Sequence, residues 1–381
     1  MRKALEYAKQ IEPEIIAEQR RVCEIAAPTF HEEKRGLEFK RIFESLGLKN
    51  VRIDGAGNVI AERPGKSAKP NLVVAAHLDT VFPEFVGLKT SLEGNIIKGP
   101  GIGDDCRGLA VLISMVRSLN EARIETQGTL TFVANVGEEG LGDLKGVKHL
   151  FNESLKGKID SFISIDGTGL RITRVGVGSY RYRLAYKGKG GHSFGAFGNA
   201  NPVHAMGRAI AKIADIQVPD HPKTTFNVGR IGGGTSVNSI AFESWAEVDM
   251  RSSDPRSLTA LDEKFKSAAQ QALNEENARW KDKGKIALEL KRLGNRPAGE
   301  TPENAPILKT ALAVSEALGF EAGVGEGSTD SNYPMSLGIP AITIGGGGKG
   351  EGAHSPEESF DITDSWKGSQ RAILLAVALV N

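Results

Sequence analysis

The sequence predicts an α/β protein, a mostly parallel sheet flanked by helices, into which a smaller α+β segment is inserted. Three observations carry the prediction. Short apolar runs recur at NLVVAAH (71–77), TLTFVANVGEE (129–139), SFISID (161–166) and AITIGGGG (341–348), each ending in His, Gly or acidic residues. Near-continuous apolar strands of this kind belong to parallel sheets covered on both faces. Stretches with an apolar stripe at helical spacing accompany them. Between about residues 178 and 291 the pattern changes to strands that alternate apolar and polar residues, which marks sheets with one solvated face.

Taken in order, HEEKRGLEFKRIFESLG (31–47) reads as a helix whose Gly47 suits the position just past a helix end. RGLAVLISMVRSLNEA (107–122) is a second helix with a broad apolar stripe. In the changed segment, SYRYRLAYKG (179–188) is a half-solvated strand, PVHAMGRAIAKIADI (202–216) a helix, and TTFNVGRIGG (224–233) and SIAFESWAEVDMRS (239–252) strands. A helix within 257–280 and the strand KIALELKRL (285–293) follow. This βαββαβ order predicts a ferredoxin-like antiparallel sheet with two helices on one face. A chain of 381 residues exceeds what one core usually supports. The expected organisation is a larger domain of residues 1–177 and 292–381, interrupted by a domain of 178–291; helical pattern resumes at PENAPILKTALAVSEALG (302–319).

Composition narrows the function. Forty-eight Lys and Arg balance forty-seven Asp and Glu, so no net field draws the chain to nucleic acid or an anionic membrane. The N-terminal residues MRKALEYAKQIEPEIIAEQRR are charged throughout and contain no apolar core of a signal peptide. No window approaches the ~20 apolar residues of a membrane span, and a cytoplasmic protein is expected. Cys23 and Cys106 have no paired spacing, which argues against a disulfide framework or a thiolate zinc site. KGPGIGDD (98–105) lacks the strand-then-helix setting of a dinucleotide loop, and GGGGKG (345–350) has no Ser or Thr after Lys349, as a phosphate loop requires.

The chemistry sits at strand ends. In open α/β sheets ligands bind beyond the carboxyl ends of the strands, where His77, Glu138, Glu139 and Asp166 fall. Gathered on one rim, an imidazole and several carboxylates repel and desolvate one another unless a cation compensates them. Imidazole with carboxylate and no thiolate suits zinc first, then cobalt or manganese. Taken singly, each piece has an ordinary explanation. His77-x-Asp79 reads as a hydrogen-bonded pair, Glu138–Glu139 as a solvated turn, Asp104–Asp105 as a helix cap, and AHSPEE (353–358) as an exposed loop. Their recurrence after three separate strands favours a metal site.

HLDT (77–80), GIGDDCRG (101–108), GEEG (137–140), SIDGTG (164–169), GGHS (190–193), GSTD (327–330) and GAHSPEE (352–358) follow one another along almost the whole chain. As an ordered set they resemble the M20-type dinuclear-zinc exopeptidases and amidohydrolases, a family that includes peptidase T, aminoacylase, succinyl-diaminopimelate desuccinylase and glutamate carboxypeptidase. The resemblance implies a mixed sheet of the zinc-exopeptidase type, two divalent ions, and an inserted domain that serves as lid and dimer contact. It makes His77 a ligand of one ion, His354 a ligand of the other and Asp104 the bridge, with Glu139 and Asp166 completing the two sets. Asp104 is preferred to Asp105 because Gly108, Leu109 and Ala110 then keep the family's register, although Cys106 stands where the family usually has Lys.

In the same resemblance Asp79 orients His77, and Glu138 is the general base on a water held between the ions. Adjacent residues leaving a strand point in different directions, which allows Glu139 to bind metal while Glu138 faces the water. His192 would reach the partner subunit's site and stabilise the oxyanion. Asn238 and Arg251 resemble substrate-contacting residues, Arg251 reading equally well as an ion pair with Asp249 or Asp254, and Gly327 and Ser328 would touch substrate. Aspartate at 166 resembles the peptidase T and dipeptidase branches, whereas the desuccinylase and carboxypeptidase branches have glutamate. The expectation is a zinc exopeptidase acting on small peptides as a homodimer. An amidohydrolase taking N-acyl amino acids is the alternative, and a scaffold that binds metal without turnover is less favoured because every ligand and the base are present.

Overall fold

The strand Asn71–His77 is buried along its whole length, and its side chains divide between two cores. Leu72, Val74 and Ala76 join one apolar cluster; Val73 and Ala75 join another. Alternate residues of a strand leave opposite faces, so a run covered on both sides has no reason to alternate in polarity. Thr129–Asn135 behaves likewise, with Leu130, Phe132 and Ala134 in the first cluster and Val133 in the second.

The computed structural model describes every residue except Phe85. Among the described residues the chain divides into two units, Met1–Gly176 with Gly299–Asn381, and Val177–Ala298. The first unit is built on a nine-stranded sheet. Its spatial order is Lys49–Ile53, Val59–Arg63, Thr129–Asn135, Asn71–His77, Ser161–Ile165, Ala341–Ile344, Ile172–Gly176 and Gly299–Glu300, with Val324–Gly327 also paired to Ile172–Gly176. The four strands from Thr129–Asn135 to Ala341–Ile344 run parallel, and antiparallel pairings flank them on both sides.

Two strands are shorter than their apolar runs suggest. The second stops at Asn135 because Gly137 turns the chain at φ +66°, and the last stops at Ile344 ahead of Gly347 and Gly348, also at positive φ. Helix Cys106–Glu121 packs on helices Glu12–Cys23 and Trp366–Val380 and on strand Asn71–His77. Each fully buried Leu or Ile on it contributes roughly 1.5–3 kcal/mol. Helix Glu33–Ser45 ends as expected, Gly47 sitting just past the end at φ +77°. A small sheet in the same unit orders Lys349–Glu351, Ser359–Asp361, Ile96–Lys98 and Ser91–Glu93.

The second unit orders its strands Thr224–Gly233, Glu243–Ser252, Gly178–Lys187 and Ala287–Arg296, all antiparallel. Burial along Glu243–Ser252 alternates strictly. Helices Pro202–Ala214 and Pro255–Arg279 pack on each other and on the two middle strands. Both begin with Pro, which fits the first helical position, and are capped by Asn201 and Asp254 side chains that accept the amides of Val203 and Ser257. The unit ends at Ala298, not at the expected residue 291, because its last strand stays paired as far as Arg296 with Ser179. Among the described residues no helix is long and apolar enough to cross a membrane.

Candidate metal centre

The parallel strands deliver their ends to one rim of the first unit. His77 is the last residue of its strand and lies beside Asn135 in register. Glu138 and Glu139 leave the neighbouring strand three and four residues beyond Asn135, and Asp166 follows Ser161–Ile165 directly, its amide held by the Ile344 carbonyl at 3.0 Å.

Asp104 occupies the middle of the cluster. Its Oδ1 is 3.0 Å from His77 Nε2 and its Oδ2 is 3.0 Å from His354 Nε2. Asp166 Oδ1 is 3.9 Å from His77 Nε2, and Glu139 Oε1 is 2.9 Å from His354 Nε2. Two potential ligand groups result, His77–Asp104–Asp166 and Asp104–Glu139–His354, with the ligand atoms of each within 4.8 Å of one another. Asp104 belongs to both. A third overlapping group joins His77 with Glu138 and Glu139.

The surrounding groups hold this arrangement in place. Asp79 accepts the Glu138 amide on Oδ1 at 3.0 Å and the Glu139 amide on Oδ2 at 2.9 Å. Its Oδ1 also lies 3.6 Å from His77 Nδ1, and Thr29 donates to its Oδ2. Asp105 turns away from the cluster, accepting the amides of His77, Gly108 and Gly167 and capping helix Cys106–Glu121. Glu32 accepts the amides of Phe30 and Gly137, which fixes the turn before Glu138. Gly327 ends a short strand beside Gly176, and Ser328 follows it.

The cluster's electrostatics call for positive charge. Burial alone would lower the His77 pKa, but the Asp104 carboxylate bonded to Nε2 and the Asp79 carboxylate close to Nδ1 outweigh burial and hold it well above the ordinary value. Asp104 and Glu139 raise His354 to about 10. Asp104 is correspondingly held below the usual carboxylate range, the bonds from His354 and His77 overcoming the effect of burial. Burial, then repulsion from Asp104, pushes Asp166 up to about 6. Two imidazoles and three carboxylates converging without any thiolate form a donor set that fits divalent cations, and cations would take over the compensation that protonated histidines give here.

Sequence reasoning weighed Asp105 only as a helix cap or as the alternative to Asp104, and did not single out Glu32, Asp330 or Glu358 as parts of the site. All four are buried carboxylates. Asp330 accepts from Asn135 Nδ2 at 2.7 Å, and burial pushes it up to about 7. The signal was available for Asp330 and Glu358, which lie inside the quoted GSTD and GAHSPEE stretches.

His192, Asn238 and Arg251 belong to the second unit. Gly191–His192 pairs with Ser239–Ile240. His192 is exposed, and its Nδ1 accepts the amides of Phe194 and Gly195. The neutral ring therefore carries its proton on Nε2, ready to donate. Asn238 is exposed, its side chain accepting from Ser236 and its carbonyl from the Ser193 amide. Arg251 Nε donates to Asp249 at 2.7 Å, whereas Asp254 serves as a helix cap.

Residues 73–377 match the sequence profile of peptidase family M20/M25/M40. The chain belongs to that family of hydrolases. Carboxypeptidase G2 from Pseudomonas sp. (strain RS-16) is 27% identical over 321 residues, 78% of this chain and 72% of that one. A tripeptidase from Staphylococcus aureus superposes with a TM-score of 0.80 at 23% identity, covering 97% of this chain and 98% of that one. Bacillus subtilis YxeP, described as a dinuclear metal binding peptidase of the M20 family, superposes with a TM-score of 0.73 at 19% identity, covering 98% and 99%. At these identities the two structural likenesses establish the fold.

Proposed function

We propose that the protein is a two-metal exopeptidase that hydrolyses the amide bond of small peptides. The observation that carries this reading is the sharing of Asp104 between two ligand groups, each with its own histidine. His77 and Asp166 would hold one ion and His354 and Glu139 the other, zinc suiting this donor set first. The ions would supply Lewis acidity toward the scissile carbonyl and the attacking water.

Glu138 acts as the general base: its carboxylate takes a proton from the water that attacks the carbonyl carbon, then delivers that proton to the departing amine as the C–N bond breaks. Asp79 supports this role by gripping the Glu138 and Glu139 amides together. His192 donates from Nε2 to the developing oxyanion in the site of a second copy of the chain, which makes the working form a homodimer. Donors of this kind are worth roughly 3–4 kcal/mol. Asn238 and Arg251 hold the far end of the substrate, a guanidinium matching a free carboxylate; Gly327 and Ser328 contact the substrate beside the metals.

The test is hydrolysis of a panel of di- and tripeptides against N-acyl amino acids, with the apoprotein reloaded with zinc, cobalt or manganese. Metal-dependent cleavage of small peptides is expected. Preference for N-acyl amino acids would reassign the substrate, and turnover of neither class would refute the reading.

A further inference from the structure

His354 is the most exposed member of the cluster, its side chain about half accessible, and its backbone is left-handed at φ +65°. For a non-glycine residue that conformation needs support from its surroundings. Four residues further on stands a buried carboxylate. Glu358 is 2% exposed, yet it lies in the same hairpin loop, between Lys349–Glu351 and Ser359–Asp361.

The Glu358 carboxylate spans to the other ligand loop. Its Oε2 accepts the Gly101 amide at 2.8 Å, and its Oε1 accepts the Gly103 and Asp104 amides at 2.8 and 3.0 Å. Its main chain is tied as well, the carbonyl taking the Gly99 amide and the amide reaching the Ser355 carbonyl. Strand Ser359–Asp361 then pairs with Ile96–Lys98, which leads into the Asp104 loop. Three amides on one buried carboxylate are charge-assisted bonds, stronger than bonds between neutral groups. Gly103 leaves room for this approach, since a Cβ there would stand 3.1 Å from Glu358 Oε1 and 2.9 Å from Thr168 Cγ2.

We propose that Glu358 is a positioning residue that fixes the spacing of His354 from Asp104 and thereby sets the affinity of the metal position they share with Glu139. The inference rests on the two-metal reading. His77 and Asp166 are placed by the central strands, which Glu358 does not hold, so its loss acts on one position more than on the other. Groups of this sort, hydrogen-bonded behind a ligand, typically change metal affinity by roughly 10- to 100-fold when removed.

The apoprotein is titrated with zinc by calorimetry, and bound zinc is counted after equilibrium dialysis. The wild type is expected to bind two ions per chain. Glu358→Gln weakens the position of His354 and Glu139 by roughly 10- to 100-fold and the position of His77 and Asp166 by clearly less. Gly103→Ala, which crowds both Thr168 Cγ2 and the Glu358 carboxylate without removing the latter, gives the same unequal weakening and carries the test alone if Glu358→Gln does not fold. Two ions bound at wild-type affinities by the folded variants overturn the proposal, as does equal weakening of both. A wild type that binds fewer than two ions overturns the two-metal reading itself.

Discussion

Asp104 and Asp105 are consecutive, yet their carboxylates point to different tasks. Asp104 stands between the Nε2 atoms of His77 and His354, while Asp105 accepts three backbone amides and caps a helix. Asp104→Ala should abolish uptake of both zinc ions while leaving the apoprotein folded, as counted by dialysis. Asp105→Ala should instead lower stability by roughly 1–3 kcal/mol, through the lost cap and the amides left unsatisfied, read as a shift of the urea midpoint. Unchanged zinc uptake in Asp104→Ala would exclude it as the bridge.

Glu138→Gln removes the proposed proton acceptor and keeps the main-chain amide that Asp79 grips. Turnover should fall on the order of 10²–10⁴-fold, the range for general-base catalysis, with zinc content unchanged. A variant that retains wild-type kcat would remove Glu138 from the mechanism.

The in-trans role proposed for His192 makes a distinctive prediction. Glu138→Gln and His192→Ala chains are each expected to be nearly inactive, but a mixture of the two, allowed to exchange subunits, should recover activity. One site in each mixed dimer then combines an intact Glu138 with an intact His192. Activity that never exceeds the sum of the separate variants would place His192 outside its partner's site.

The second unit supplies a pH dependence separate from the metals. Burial opposes ionisation of Asp249, but hydrogen bonds from Arg251 and Arg181 outweigh it and hold the carboxyl below its usual pKa. A carboxylate depressed in the folded state contributes stability above its unfolded pKa of ~3.9 and loses that contribution as pH falls through the folded value. The side chains are partly exposed, so the effect is about 1 kcal/mol or less. The deficit of Asp249→Asn against the wild type in thermal melting should accordingly be larger at pH 6 than at pH 3. A constant difference across that range would contradict the assignment.

The strands were legible because burial on both faces demands an unbroken apolar run, and Asn71–His77 has no polar residue between Asn71 and His77. His77, Glu139 and Asp166 were legible as candidate ligands because polar groups recur after three separate apolar runs, whereas Asp104 and His354, in Gly-rich loops, were legible only through the family resemblance. Less could be read where a residue's task depends on backbone direction. Nothing in the pair Asp104–Asp105 says which carboxylate faces inward, and Glu32 and Glu358 act on amides far away in sequence. The end of the second unit was misplaced for a related reason. The strand Ala287–Arg296 absorbs a register shift between Arg292 and Gly294 and continues past the point where its alternation fades.

The grip of Asp79 on two successive amides has an evolutionary corollary. If Glu138 and Glu139 are the base and the ligand proposed above, their anchoring by one carboxylate gives them one frame, so loops elsewhere are free to change what is admitted without altering the distance over which the proton travels. Diversification of the amide accepted would then proceed by remodelling the walls around a hydrolytic unit that itself stays constant.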